Sequence, residues 1–95
     1  MVKVTLAEAK KLVSLWSKGT FPTIKESIKY HLARHGKEVS ADDVWDYLRK
    51  AEGFSKNLRN AKKSEPEFGV TRYMKSGNYV IKDGKGKILS FGNEL

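Results

Sequence analysis

Residues 69–92, GVTRYMKSGNYVIKDGKGKILSFG, decide the fold class. They contain three short runs rich in β-branched and aromatic residues, at 70–74, 78–82 and 87–91, and such runs favour strands. The segments between the runs are rich in glycine and small polar residues, as tight turns are. This stretch therefore predicts a three-stranded antiparallel meander.

The chain before this stretch has the pattern of helices. A hydroxyl residue followed three positions later by an acid, which is typical of a helix N-cap, occurs at Thr5, Thr23 and Ser40. Apolar residues then recur at helical spacing. The predicted helices span about 5–18, 23–35 and 40–63.

Helices first and strands last predict an α+β domain. The 95 residues suffice for one such domain over 1–95, because a second core would need a longer chain. Its helical part, about 5–63, is expected to pack on one face of the small antiparallel sheet, about 69–92.

Composition limits the possible classes of function. The chain contains no cysteine, which excludes disulfides, thiol catalysis and cysteine-based zinc sites. No apolar run approaches the ~20 residues that span a bilayer, so membrane anchoring is excluded as well. Lysine and arginine number 19 against 11 acids, a net charge of +8. Such a charge on a small domain favours an anionic partner: nucleic acid, an acidic protein or an anionic membrane surface.

The two histidines of the chain, His31 and His35, lie four residues apart on the second predicted helix. At 100° per residue both fall in the arc of its apolar residues, so both are expected to face the body of the protein. A histidine in such a place is commonly structural. A zinc site would need further ligands such as Glu38 or Asp42, and the HExxH pattern is absent because Leu32 stands in place of the glutamate. No metal ligand is therefore assigned.

The histidine pair also suits general acid–base catalysis, because imidazole exchanges protons near neutral pH. Cleavage of RNA by its own 2′-hydroxyl needs a base, an acid and cations around the phosphate, and it needs no metal or other cofactor. His31 and His35 are the candidates for acid and base. Lys25, Lys29 and Lys87 are the candidates for binding the RNA backbone.

The predicted strands carry further candidates for the same site. Arg72 can clamp a phosphate, Thr71 and Ser90 can donate hydrogen bonds, and Tyr73 or Tyr79 can stack on a base. In a regular strand Thr71 and Tyr73 share one face and Arg72 takes the other, so a regular strand cannot direct all of them into one groove.

Two segments of the chain, SIKYHLARHGKEV at 27–39 and the stretch at 69–92, resemble a known group of proteins. They resemble the C-terminal toxin domains of bacterial polymorphic and contact-dependent inhibition (CdiA-type) systems. More widely, they resemble the barnase/EndoU/colicin/RelE group of metal-independent ribonucleases. The resemblance covers about residues 20–92. In it, His31 and His35 match the helix that bears histidine, residues 71–73 match the first strand of the sheet, and Ser90 matches the last strand.

The resemblance implies an endoribonuclease toxin that cleaves RNA, tRNA in particular, without a cofactor. It implies delivery from the producing bacterium as part of a larger effector and action in the cytoplasm of the target cell. It also implies neutralisation by a cognate immunity protein, which should be acidic in order to cover a basic groove.

Two other functions fit the sequence. A non-catalytic nucleic-acid-binding module is one, because a short glycine-containing turn joins the second and third predicted helices as in a helix-turn-helix, although the third helix lacks a dense Arg/Asn/Gln reading face. A small interaction domain that docks on an acidic protein is the other. The histidines discriminate between these functions, since a binding module should tolerate their loss and a nuclease should not.

Overall fold

A computed structural model describes residues 3–94 of the chain. Three helices precede four strands: α1 Leu6–Ser14, α2 Ile24–His35, α3 Val44–Ser55, β1 Lys62–Glu67, β2 Val70–Lys75, β3 Asn78–Lys82 and β4 Ile88–Asn93. The strands form one antiparallel sheet in the order β1-β2-β3-β4. The predicted α+β class, with N-terminal helices and a C-terminal meander, is confirmed. Within residues 3–94 no helix has the length and apolar character needed to cross a membrane.

The third helix is shorter than predicted, and the sheet has four strands instead of three. α3 begins after Asp43, whose carboxylate accepts a hydrogen bond from the Asp46 N–H at 2.9 Å. It ends at Ser55, and Asn60 beyond it has a φ of 67°, a left-handed conformation that asparagine tolerates better than most residues. Residues 62–67, predicted as the end of the helix and a linker, form β1. All six are exposed, so no alternation of apolar residues marks them as a strand.

The first helix also ends earlier than predicted, at Ser14. The chain then leaves the helix and runs beside β4, where Trp16 forms a parallel bridge with Ile88. The Ile88 N–H donates to the Leu15 carbonyl at 2.7 Å, and the Ser17 N–H donates to the Ile88 carbonyl at 2.8 Å. This segment covers part of the outer edge of the sheet.

The core lies between the helices and one face of the sheet. Its buried members are Leu12, Trp16, Ile28, Tyr47, Leu48, Ala51, Val80, Ile88 and Phe91. The cross-strand neighbours Tyr73, Val80 and Phe91 lie on this core face. Arg72, Ile81 and Ser90 are the next set of cross-strand neighbours and lie on the opposite face. α2 packs against β4 at the edge of the sheet, which places one side of α2 next to that second face.

One buried hydrogen bond joins α3 to the sheet. Tyr47 is fully buried, and its hydroxyl donates to the Phe91 carbonyl. Burial raises the pKa of the Tyr47 hydroxyl far above its usual range, so the donor stays protonated. The hydrogen bond therefore fixes β4 against α3 at every physiological pH.

We expect Tyr47→Phe to lower the free energy of unfolding by about 1–2 kcal/mol, because the Phe91 carbonyl loses a buried donor. Urea unfolding measures the change. Tyr30→Phe is the control: its hydroxyl accepts an exposed hydrogen bond from the Arg34 side chain, and the loss of this bond should change stability by less than about 0.5 kcal/mol. Equal losses in the two variants would contradict the prediction.

Candidate active site

A groove runs between α2 and the face of the sheet that carries Arg72, Ile81 and Ser90. It contains two adjacent pockets that share Pro66 and Ile81 in their walls. The His35 pocket has a volume of about 480 Å³. The His31 pocket has a volume of about 540 Å³. Each histidine of the chain therefore opens on its own part of one groove.

Four side chains form a continuous hydrogen-bonded chain at the His35 pocket. Glu38 Oε1 accepts from His35 Nδ1 at 2.9 Å and from the Asn93 N–H at 3.0 Å. Because a carboxylate only accepts, His35 Nδ1 carries a proton. His35 Nε2 lies 3.2 Å from the Tyr79 hydroxyl, which lies 3.0 Å from Ser90 Oγ. A proton can therefore move along this chain between His35 and the tyrosine hydroxyl.

The environment of Glu38 keeps this carboxylate ionised. The Asn93 N–H, and after it the His35 ring, lower the pKa of Glu38 below its usual value. By accepting a hydrogen bond from His35 Nδ1, the ionised carboxylate fixes the orientation of the His35 ring.

Gly92 provides the space for the hydrogen bond between His35 and Glu38. It lies on β4 directly beneath the two side chains, where an added Cβ would lie 2.9 Å from both His35 Nδ1 and Glu38 Oε1. The same Cβ would lie 3.0 Å from His35 Cγ, an atom near the backbone that cannot move without the whole ring. Any larger residue at this position would displace the His35 ring.

Two guanidinium groups line the His35 pocket, those of Arg34 and Arg72. Arg72 Cζ lies 4.7 Å from the centre of the Tyr79 ring, and the buried Arg72 Nε has no hydrogen-bond acceptor among residues 3–94. Neither arginine forms an ion pair within the described chain. Two carboxylates line the same pocket, those of Glu94 and Glu38, and Glu38 accepts a hydrogen bond from His35. The two arginines can therefore take an anionic ligand such as a phosphate.

His31 lies one helical turn before His35, and the two rings are nearly parallel. Their centres are 6.1 Å apart, with 16° between the ring planes. His31 Nδ1 donates to the Ser27 carbonyl at 2.8 Å, which leaves Nε2 as the basic nitrogen. Burial lowers the pKa of His31, the Ser27 carbonyl partly opposes this, and the charges of His35 and Arg34 lower it further. The neutral ring at pH 7 is therefore suited to accept a proton.

The low pKa of His31 predicts a pH-dependent stability. The unfolded residue titrates near pH 6.5 and the folded one lower, so between these values the unfolded state binds more protons. The free energy of unfolding should therefore fall as the pH drops below about 6.5. Carboxylates with lowered pKa values, such as Glu38, lose their contributions only at lower pH.

Urea unfolding between about pH 7.5 and about pH 5.5 measures this effect. The comparison is His31→Gln, whose amide N–H can still donate to the Ser27 carbonyl but does not titrate. We expect a smaller loss of stability in this variant than in the native protein. An identical pH dependence of the two proteins would show that His31 is not the responsible group.

Five of the predicted site residues meet in the groove: His31, His35, Arg72, Tyr79 and Ser90. The prediction that Tyr79 stacks on a base is not met by its position, because Tyr79 is only 8% exposed and the Arg72 guanidinium lies over its ring. The Tyr79 hydroxyl, hydrogen-bonded to His35, is the part that takes part in the site.

Thr71 and Tyr73 lie on the opposite face of the sheet, so the predicted grouping of these two residues with the histidines is corrected. Thr71 pairs with Lys82. Tyr73 packs against the core, and the Lys63 and Lys82 ammonium groups lie 5.7 Å from its ring centre. The reason is the alternation of side chains along β2, which directs Arg72 alone of the three toward the groove.

The three lysines predicted to bind RNA lie outside the groove. Lys25 and Lys29 line a separate apolar slot between α2 and α3. Lys87 Nζ donates to the Ser14 carbonyl, which ties β4 to the end of α1. The prediction that these lysines lie beside the histidines is corrected, because Lys25 and Lys29 are on another side of α2 than the histidines and Lys87 is engaged at the end of α1.

Glu38 and Lys18 line the groove although the sequence predicted neither of them as a catalytic or RNA-binding residue. The spacing of three residues between His35 and Glu38 was the available signal. Whether the two meet depends on the position at which α2 ends and on the chain path through Gly36. Residues 3–94 contain no group of three His, Cys, Asp or Glu side chains arranged to hold a metal ion.

Comparison with protein-family models, with curated proteins and with solved structures finds no match for the chain. The resemblance to bacterial toxin domains therefore stays a prediction. The function must be argued from the residues of the groove.

Proposed function

We propose that the protein is an endoribonuclease that cleaves RNA through attack of a 2′-hydroxyl on the adjacent phosphate, without a metal ion. The observation that carries this proposal is the Glu38–His35–Tyr79–Ser90 hydrogen-bonded chain beside the unpaired guanidinium of Arg72. Acid–base chemistry on a phosphate needs these three elements together: an oriented imidazole, a proton path and a cation.

The roles of the histidines follow from their hydrogen bonds. His31 Nε2 takes the proton of the 2′-hydroxyl, and the 2′-oxygen forms a bond to phosphorus. The bond from phosphorus to the 5′-oxygen breaks, which leaves a 2′,3′-cyclic phosphate. The leaving 5′-oxygen takes a proton from protonated His35, directly or through the Tyr79 hydroxyl. Two rings whose centres are 6.1 Å apart can flank one phosphate in this way.

Arg72 and Arg34 stabilise the charge that develops on the phosphate. Both line the His35 pocket, and neither forms an ion pair with a carboxylate among residues 3–94. Preorganised cations of this kind commonly make the largest contribution to such a reaction. The net charge of +8 favours the approach of a polyanion from a distance.

The resemblance of residues 27–39 and 69–92 to toxin domains extends the proposal. We propose tRNA as the RNA to test first, the cytoplasm of a target cell as the place of action and an acidic immunity protein as the partner. A non-catalytic helix-turn-helix module has less support, because two basic residues of α3 are engaged in ion pairs, Arg49 with Glu8 and Lys50 with Asp46.

The product chemistry tests the proposed reaction. RNA fragments made by the protein in EDTA should carry 2′,3′-cyclic phosphate ends, detected by mass spectrometry. A substrate with a 2′-deoxy sugar at the cleaved position should stay intact. Fragments with 5′-phosphate and 3′-hydroxyl ends would contradict the mechanism, because they require an attacking water in place of the 2′-hydroxyl.

A further inference from the structure

The two pockets of the groove differ in chemistry. The His35 pocket is lined by charged groups, the Arg34 and Arg72 guanidinium groups and the Glu38 and Glu94 carboxylates. The His31 pocket has mainly apolar walls, formed by residues such as Phe21, Val70 and Leu89. One end of the groove therefore suits a phosphate and the other suits a flat apolar group.

The Phe21 ring lines the His31 pocket, and two exposed rings, those of Tyr30 and Phe68, lie next to residues that line it. The Phe21 ring centre lies 5.1 Å from that of Tyr30 and 5.9 Å from that of His31. The Tyr30 ring contacts the His31 ring edge-on, with 5.2 Å between the ring centres, and Tyr30 is 45% exposed. Phe68, at the turn between β1 and β2, is fully exposed next to the pocket-lining residues Glu67 and Val70. Exposed rings around an apolar pocket are the arrangement on which nucleic-acid bases stack.

The charges of the His31 pocket support the same division. Two carboxylates, those of Glu67 and Asp83, and one ammonium group, that of Lys18, line it, so it favours a phosphate less than the His35 pocket with its two guanidinium groups. A carboxylate can instead accept a hydrogen bond from an amino group on the edge of a base. Arg34 connects the two ends of the groove, since it lines the His35 pocket and donates to the Tyr30 hydroxyl at 3.2 Å.

We infer that the His31 pocket binds the base of an unpaired nucleotide while the adjoining phosphate lies against Arg34 and Arg72, so the substrate is single-stranded RNA. The inference rests on the proposed function and specifies its substrate. A base inside a duplex is stacked and paired, and extruding it costs a few kcal/mol. Single strands, loops and ends present their bases without that cost.

Fluorescence anisotropy with an uncleavable RNA tests the inference apart from catalysis. The probe is a short mixed-sequence oligonucleotide with 2′-fluoro sugars, used alone and annealed to its complement. We expect the single strand to bind at least about 10-fold more tightly than the duplex. Phe21→Leu should remove most of this preference, and Phe68→Ala, at a position that adds nothing to the core, should reduce it. Leu6→Ala, another exposed apolar residue on α1, is the control and should bind as the native protein does.

Equal affinity for the two probes, or no binding to either, would overturn the inference. An unchanged preference in both Phe21→Leu and Phe68→Ala would also overturn it. Cleavage of tRNA in a parallel assay separates this result from the proposed function. Cleavage of tRNA together with equal binding of both probes would support the proposed ribonuclease function and contradict the base-binding role of the His31 pocket. Preferential binding of the single strand without cleavage of tRNA would support the base-binding role of the His31 pocket and contradict the proposed ribonuclease function.

Discussion

His35→Ala should lower the rate of tRNA cleavage by about 10²–10⁴-fold at neutral pH. His35 joins the Glu38 carboxylate to the Tyr79 hydroxyl, through contacts of 2.9 Å and 3.2 Å respectively. Its loss removes the proposed acid and interrupts the path to the tyrosine. Initial rates of fragment formation from tRNA measure the effect, with circular dichroism as the check that the variant is folded.

Lys10→Ala is the matched control for this measurement. Lys10 lies on α1 beside Trp45, outside the groove, and its substitution removes one positive charge from the chain. The rate of this variant should stay within a few-fold of the native rate, since only the long-range attraction of RNA changes. A folded His35→Ala protein that cleaves as fast as the Lys10→Ala protein would remove His35 from the mechanism.

Gly92→Ala should lower the cleavage rate by at least about 10-fold, although it adds only a methyl group to a residue that takes no part in the chemistry. The added Cβ would lie 2.9 Å from His35 Nδ1 and 3.0 Å from His35 Cγ, so the ring must move away from β4. The move lengthens the hydrogen bonds from His35 to Glu38 and to Tyr79. The initial rate of tRNA cleavage by the Gly92→Ala protein measures how much activity is lost when the His35 ring is displaced.

Gly53→Ala is the control for an added methyl group. It lies inside α3, where an added Cβ meets no atom within 4 Å. This variant should cleave at the native rate, and its free energy of unfolding should rise by about 0.5–1 kcal/mol because alanine favours the helix. Native activity in Gly92→Ala would show that the contact between His35 and Glu38 is not needed.

The sequence predicted the parts of the structure that depend on local patterns. α2 was predicted at 23–35 and spans Ile24–His35, with Thr23 as its N-cap, because the cap and the apolar residues agree there. The arc of the apolar residues on α2 predicted that both histidines face the body of the protein, and His35 contacts Tyr79 of the sheet. Alternation along β2 likewise separated Thr71 from Arg72.

The features that the sequence could not predict depend on contacts between distant segments. β1 consists of exposed and mostly charged residues, and its identity as a strand comes from pairing with β2. The role of Glu38 depends on the Asn93 N–H, which is 55 residues away along the chain. The third helix was predicted too long, to about residue 63, because Leu58 packs on the core from the loop after α3 and not from a helix. Periodicity alone does not distinguish these two cases.

Incubation of the purified protein with total tRNA in EDTA tests the central claim most directly. The comparison is the double variant His31→Ala, His35→Ala, shown by circular dichroism to be folded. The account predicts tRNA fragments with the native protein and intact tRNA with the double variant. Intact tRNA with the folded native protein would contradict it. Equal fragmentation by both proteins would likewise contradict the assignment of the chemistry to the histidine groove.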